Sequence, residues 1–303
     1  MTLPRSILID PDRTSYYHCV SRCVRRAFLC GRDQVSGHDF EHRRAWIEAR
    51  LLQQAAIFAI DVCAYAVMAN HYHVVLRIDT EKQKRLSDAE VVARWARLYR
   101  VPKWFDEADK ETVTETIAVW RTRLGSISWF MKCVNERLAR MANKEDGCKG
   151  RFWEGRFKSQ ALLDDPAVLR CMAYVDLNPI RAGIASTPES SAYTSVQARI
   201  LDRGSALMPM ADEGVAEPKL PISKRDYLAL VDWTGRQVRP DKPGRIAAAR
   251  PPIIDRLQQG MRRPWVEEMR HLSRLYFRAI GDVISLDDYR EYLGQLRLKG
   301  LTR

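Results

Sequence analysis

Apolar and polar positions along the chain predict strands and helices in alternation. Residues 15–21 are rich in aromatic and β-branched types, which is typical of a strand. Residues 39–58 repeat apolar side chains at a loose helical spacing. The apolar runs 59–68 and 71–78 are separated by a two-residue turn, which predicts a β-hairpin.

The second half of the pattern is mainly helical. Residues 79–124 predict charged helices inserted between core elements, and residues 126–144 predict an amphipathic helix. Residues 150–163 read as one or two strands. The helix predicted at 166–178 has an Asp cap and a proline in its first turn, and Asn178-Pro179 marks its end or a kink.

Composition narrows the class of protein. The chain has 303 residues, of which 46% are hydrophobic, so a sizeable core is expected. No apolar run approaches the ~18 residues of a membrane span. The seven cysteines form no CxxC pair, and the first residues carry charges too early for a secretory signal. These features predict a cytoplasmic protein without structural zinc and without a membrane partner.

Charge indicates an anionic partner. The formal net charge is +12, and nucleic acid is the first candidate for such a basic surface. Residues 121–158 hold ten Lys and Arg against four Asp and Glu, and aromatic residues alternate with them in KGRFWEGRFK. Basic side chains can contact phosphates and aromatic faces can stack on bases. An ordinary solvated hairpin with buried aromatics is the alternative.

Two histidines stand one residue apart in the apolar run YAVMANHYHVVLRI. Alternate side chains of a strand share a face, so His71 and His73 project together and could share one metal ion. Two hydrogen-bonded histidines at a sheet edge are the alternative. On the helix at 166–178, Val168, Met172 and Val175 form the core-facing stripe. Tyr174 lies outside that stripe, and Asn178, one turn later, lies on the same side of the helix as Tyr174. The alternative is that Tyr174 only covers an edge of the helix.

These motifs together resemble a known family. NHYH after an apolar strand, GRFWEGRFKS, and MAYVDLNPIRAGI, in that order, resemble the single-tyrosine HUH transposases, and in particular the REP-associated tyrosine transposases. The resemblance implies an α+β fold: a ferredoxin-like antiparallel sheet with helices on one side, the HUH endonuclease fold. It covers residues 14–186, with 79–124 as a helical insertion. We expect a linker at 187–222 and a basic, mostly helical C-terminal extension at 223–303.

The resemblance also implies a chemistry. His71 and His73 would hold Mg²⁺ or Mn²⁺, with Asn178 as the third ligand. Tyr174 would attack single-stranded DNA beside a hairpin and form a 5′-phosphotyrosine bond, leaving a free 3′-hydroxyl. No ATP would be needed, and the chain has no P-loop.

Candidate DNA contacts lie in two basic stretches. They are Arg22, Arg25, Arg26, Lys149, Arg151, Trp153, Arg156 and Lys158. Single-stranded or hairpin DNA is therefore the expected partner, and a homodimer is one of the assemblies that relatives adopt. Two other functions stay open. One is a hairpin-DNA-binding regulator without catalysis, and the other is a replication or plasmid-mobilisation nickase with the same chemistry.

Overall fold

A computed structural model describes residues 5–24, 29–33, 37–214, 218–237, 279–295 and 300–301. The strands are β1 (Tyr16–Arg22), β2 (Ile60–Val67), β3 (His71–Ile78), β4 (Lys158–Leu162), β5 (Ala279–Ile280) and β6 (Gly300–Leu301). The helices are α1 (Arg5–Leu8), α2 (Arg43–Ala55), α3 (Thr80–Arg85), α4 (Asp88–Ala96), α5 (Lys110–Leu124), α6 (Ile127–Glu145), α7 (Asp165–Asp176), α8 (Asn178–Arg181), α9 (Ser195–Ile200), α10 (Lys224–Gln237) and α11 (Val283–Tyr292), with a 3-10 turn at Lys103–Asp106.

The strands of the described residues form one sheet in the order β2-β3-β1-β4-β5-β6. The first four strands pair antiparallel, whereas the two-residue strands β5 and β6 add parallel to β4. The path β1-α2-β2-β3-α6-β4 with β1 between β3 and β4 is the split βαβ arrangement of ferredoxin-like folds. The expected α+β fold is confirmed.

The hairpin between β2 and β3 forms where the apolar pattern predicted it. The backbone N–H of Met68 donates to the carbonyl of His71 at 2.8 Å and closes the turn. Because side chains alternate along β3, Tyr72, Val74 and Leu76 enter one core while Val75 enters the other. The histidines His71 and His73 lie on the Val75 face.

Helices cover both faces of the sheet. Helices α2 and α6 pack on the Tyr72 face, as the ferredoxin-like unit requires. Helices α7, α9 and α10 cover the opposite face, so the expectation of helices on one side holds only for the βαββαβ unit. Strand β2 explains the second layer of helices. It is buried at nearly every position, and successive residues of a strand point to opposite faces, so both faces of the sheet must be covered.

Local signals explain α7. The Asp164 side chain accepts the N–H of Ala167 at 2.8 Å, and Pro166 occupies the first turn, as the sequence indicated. The helix breaks at Leu177 and α8 follows at once, which confirms the interruption predicted at Asn178-Pro179.

The segment 79–124 is helical, as expected for an insertion, and contains α3, α4, the 3-10 turn and α5. Its aromatic side chains join the core of the Tyr72 face. Trp95 stacks on Trp120 with ring centroids 5.2 Å apart, and Phe105 stacks on Trp120 at 5.1 Å.

The segment 187–222 is more than a connector. It contains α9, and it buries Val196, Met208 and Met210 in the same core as α7. The expected linker therefore packs against the sheet. Of the extension at 223–303, α10 and α11 are helical, while residues 238–278 lie outside the described residues. Within the described ranges, no helix is both long enough and apolar enough to span a membrane.

Candidate active site

The two histidines of β3 meet at one end of the sheet. The Nε2 atoms of His71 and His73 lie 3.0 Å apart. Nδ1 of His71 lies 2.6 Å from Oδ1 of Asn70, which fixes that ring from behind. His73 is 5% exposed and His71 is half-buried. The pair therefore directs two ring nitrogens at one point of a largely buried site.

A third histidine, which the sequence interpretation missed, completes this cluster. His18 lies on β1, and its Nε2 is 2.9 Å from Nδ1 of His73. Its Nδ1 is 3.3 Å from Oε1 of Gln160 on β4. The signal was present in SYYHCVS, because a histidine inside a buried strand is as unusual there as in β3. Only the pairing of β1 with β3, which spacing cannot give, brings it to His73.

Burial keeps these imidazoles neutral. Desolvation lowers the pKa of His18 and of His71 from 6.5 to about 4. It lowers the pKa of His73 well below 6.5, and the nearby His18, His71 and Arg22 add to that effect. A neutral imidazole keeps a lone pair, which is the form that ligates metal ions.

The histidine pair fits a divalent cation. Two nitrogens bound at right angles at about 2.1 Å from an octahedral ion lie about 3 Å apart, which matches the observed separation of the two Nε2 atoms. Metal-ligating histidines commonly bond their other nitrogen to a fixed partner, as Asn70 and His18 provide here. Among the described residues, no cluster of three His, Cys, Asp or Glu side chains is arranged around one ion, so further ligands would come from amide, water or phosphate oxygens.

Tyr174 faces this cluster from α7. Its ring meets the ring of His73 edge-on at 5.7 Å and that of His18 at 6.1 Å. The side chain is 9% exposed. Burial raises the pKa of Tyr174, while the charge of Arg181 and a side-chain hydrogen bond with Asn178 lower it. The Arg181 guanidinium carbon lies 4.9 Å from the centre of the Tyr174 ring.

Asn178 lies one turn after Tyr174, as helical spacing predicted. Its Nδ2 donates to the carbonyl of Tyr174 at 3.0 Å and to that of Val175 at 3.4 Å. The amide nitrogen is thus held by two carbonyls of α7, which leaves the amide oxygen as the atom that could bind a cation. Its role as a ligand stays a prediction.

Basic side chains surround the cluster. Arg22 is paired opposite His71, and its charge lowers the pKa of His71. Val20 pairs with both His73 and Lys158, so the exposed Lys158 shares the face of the histidines. Arg181 lies above the tyrosine ring, so at least three cations among the described residues border the site.

The basic segment 149–158 lies beside the same end of β1. The N–H of Glu154 donates to the carbonyl of Arg22 at 2.9 Å, and the N–H of Val24 donates to that of Phe152 at 2.9 Å. Lys149, Arg151 and Arg156 are exposed. Arg25 and Arg26 lie outside the described residues.

Trp153 is a core residue, contrary to its expected role in base stacking. The side chain is 9% exposed, and its indole N–H donates to the carbonyl of Asn135 at 2.9 Å. Its ring meets Tyr72 edge-on at 5.8 Å and Phe152 at 5.0 Å. Since the isolated bridge of Trp153 to Cys23 turns this side chain inward, no face of the indole is open to a base.

Comparison with known proteins gives one structural neighbour. It is described as the structure of the REP associates tyrosine transposase bound to a REP hairpin. The likeness covers 68% of this chain and 89% of that chain, with 11% identity and a TM-score of 0.38. No family model and no curated protein matches the chain. Similarity at this level does not transfer a function, which must be argued from the site.

Proposed function

We propose that this protein is a metal-dependent single-stranded DNA endonuclease and strand transferase with Tyr174 as its nucleophile. The observation that supports the proposal best is the meeting of a tyrosine with a neutral histidine pair inside a basic rim. The Tyr174 ring lies 5.7 Å from that of His73, whose Nε2 is 3.0 Å from that of His71. A nucleophile, a cation site and phosphate-binding charges are the parts that cleavage of a phosphodiester needs.

Geometry favours Tyr174 over the other candidate tyrosines. Tyr17 and Tyr72 belong to the core on the opposite face of the sheet. Their hydroxyls are also engaged, since Tyr17 bonds the backbone of Asp10 at 2.8 Å and Tyr72 donates to Asn135 at 2.7 Å. Tyr16 shares the histidine face, but it pairs with Arg77, six residue pairs along β1 from the pairing of Arg22 with His71.

The proposed reaction is a transesterification. The Tyr174 oxygen attacks the phosphorus, and the bond from phosphorus to the 3′-oxygen breaks. The tyrosine loses its phenolic proton, and the leaving 3′-oxygen gains a proton to become the free 3′-hydroxyl. The product is a 5′-phosphotyrosine, whose bond energy is retained for rejoining. Arg181 favours the phenolate, because its positive charge lowers the pKa of Tyr174 against the effect of burial.

His71 and His73 would hold a divalent ion, Mg²⁺ or Mn²⁺, and Asn178 is the candidate for an oxygen ligand. Such an ion, when bound, supplies Lewis-acid polarisation of the scissile phosphate. His18 has a positioning role in this proposal. Its bond to Nδ1 of His73 directs Nε2 of His73 toward His71, and Gln160 holds His18 in turn.

The alternative is a DNA-binding regulator that recognises hairpins without cleaving them. The basic rim and the exposed cations of the 149–158 segment would serve that function equally well. A chain of three hydrogen-bonded histidines beside a tyrosine, with His18 and His73 buried, favours the enzyme, because a binding surface gains nothing from polar groups that solvent and DNA reach poorly.

Incubation with labelled hairpin DNA carrying a single-stranded flank, in the presence of Mn²⁺, tests the proposal. We expect a covalent protein–DNA adduct that survives denaturation. Tyr174→Phe should bind the hairpin but form no adduct, since only the hydroxyl is removed. Tyr16→Phe, a tyrosine on the same sheet face, is the matched control and should cleave normally. An adduct with Tyr174→Phe would refute the assignment, whereas binding without an adduct in the parent protein would favour the regulator.

A further inference from the structure

A second basic depression lies in the helical layer on the face of the sheet opposite the histidine cluster. It is a cavity of about 500 Å³ between α2, α6 and the C-terminal end of α4. The residues that form it belong to three sequence segments, 46–53, 97–99 and 133–141. We refer to it as the arginine groove. One of its walls comes from the insertion at 79–124, to which the proposed cleavage chemistry gives no role.

The groove carries an excess of positive charge. Its lining contains four arginines and one carboxylate, with Glu136 as the acid. Glu136 pairs with Arg140 on α6. Within the described part of the chain, neither Arg97 nor Arg137 has an acidic partner, and both are exposed. Formal charges of +4 and −1 leave +3 in the groove, which favours an anionic ligand.

Arg50 is a half-buried cation of the groove. Its Nη1 donates to Oε1 of Gln53 at 2.7 Å, and its Nη2 donates to the carbonyl of Cys133 at 3.3 Å. Burial lowers the pKa of Arg50, and the charge of Arg137 lowers it further. An anion in the groove would therefore relieve repulsion between two guanidinium groups that the fold holds together.

Two aromatic side chains accompany the arginines. Tyr99 packs against Trp95 at 5.1 Å and Trp129 at 6.1 Å, and it remains half-buried at the groove wall. Trp46 is half-buried on the wall that α2 forms, and His42 contacts its ring edge-on at 4.8 Å. A nucleotide has a flat base and a charged phosphate. The fixed aromatic rings can stack on the base, and the guanidinium groups can bind the phosphate.

We infer that the arginine groove binds a short stretch of single-stranded nucleic acid, with Arg97 and Arg137 on its phosphates and Tyr99 or Trp46 against its bases. Ligand-binding pockets in proteins usually have volumes of about 300–1,000 Å³. The volume of the groove falls within that range. An acidic peptide would satisfy the arginines but leave the aromatic walls without a function. The inference does not depend on cleavage, because the groove shares no residue with the Tyr174 site.

The test uses the full chain as Tyr174→Phe, so that no adduct forms. Binding of a fluorescein-labelled oligothymidylate of about twelve nucleotides is measured by anisotropy over a series of salt concentrations. The variant is Arg97→Ala with Arg137→Ala. The matched control is Arg203→Ala with Arg225→Ala, which removes the same charge from exposed residues near α9 and on α10, the helices of the other face.

Loss of two single-strand phosphate contacts should reduce the slope of log K against log salt by about 1.4. At about 0.1 M salt the same relation gives an affinity loss of about 25-fold. The control should keep the parent slope. Thermal melting of each variant should match the parent, since all four side chains are exposed.

Ultraviolet crosslinking with bromodeoxyuridine in the oligonucleotide locates the strand directly. We expect crosslinks in the peptides that carry Tyr99 or Trp46, and their loss in the groove variant but not in the control. Equal salt slopes for the two variants would overturn the inference. So would a groove variant that loses affinity for polyglutamate while keeping the oligonucleotide slope, because that result would assign the groove to an acidic protein.

Discussion

Asp176 gives a prediction that joins the fold to the placement of the proposed nucleophile. This carboxylate is fully buried two residues after Tyr174. It accepts the hydroxyl of Ser195 at 2.6 Å, the N–H of Val196 at 2.9 Å and the hydroxyl of Tyr227 at 2.5 Å. One side chain of α7 is thus bonded to α9 and α10, which hold α7 against the sheet.

Burial raises the pKa of Asp176 from 3.8 to about 6, because the three hydrogen bonds only partly offset the cost of burying its charge. An acid with a higher pKa in the folded state binds more protons when folded. Its contribution to stability is therefore greatest at low pH and is lost as the pH rises from about 4 through 6. A shift of about two pKa units corresponds to about 3 kcal/mol, most of which, about 2 kcal/mol, falls between pH 4 and 7.

Asp176→Asn removes this titration while its amide oxygen can still accept from Ser195 and Val196. Urea unfolding followed by circular dichroism between about pH 4 and 7 gives the free energy of unfolding of both proteins. The parent should lose about 2 kcal/mol relative to the variant over this range. The control is Asp106→Asn, which removes an exposed carboxylate and should track the parent. The buried histidines add the same pH dependence to both proteins, so only the difference between them reports Asp176. A constant difference between parent and Asp176→Asn, or a difference that shifts in favour of the parent as pH rises, would refute the reasoning.

Three further predictions concern the site and the basic surface. Trp153→Ala should lower the free energy of unfolding by about 3–5 kcal/mol, and titration with DNA should show unchanged affinity of the folded fraction; weaker binding without destabilisation would restore the stacking role. His18→Leu should weaken Mn²⁺ binding by about 10- to 100-fold in calorimetry, whereas His71→Ala with His73→Ala should abolish it, and equal affinities in all three would count against the site. Neutralising the four exposed cations of the 149–158 segment should reduce the single-strand salt slope by up to about 2.8, and an unchanged slope would exclude that surface.

The hairpin and α7 were predictable because their signals are local. Two apolar runs around a short turn define β2 and β3, and the Asp164 cap with Pro166 defines the start of α7. The alternation along β3 also places His71 and His73 on one face without further information. Local periodicity therefore gave both the elements and the relative direction of the site residues that share an element.

Contacts between distant segments were not predictable from spacing. His18 and His73 are 55 residues apart and meet only because β1 lies beside β3 in the sheet. The prediction that Trp153 stacks on a base was wrong for a related reason. In the stretch from Lys149 to Lys158 the aromatic positions alternate with charges, and only the bridge to Cys23 decides that the indole turns inward. Sequence gives the period of such a stretch but not which of its sides meets the core.

The limits of local signals also explain why the sequence pattern predicted a role for Asn178 but not for Arg181. Positions Tyr174, Asn178 and Arg181 are separated by four and three residues, which places them on one side of a continuous helix. Asn178-Pro179 suggested that the helix ended before Arg181. The structure continues helically into α8, because proline is tolerated in a first helical turn, where its missing N–H would have no partner. Arg181 consequently lies over the Tyr174 ring, and the residues that lower the pKa of the tyrosine come from the turns that follow it.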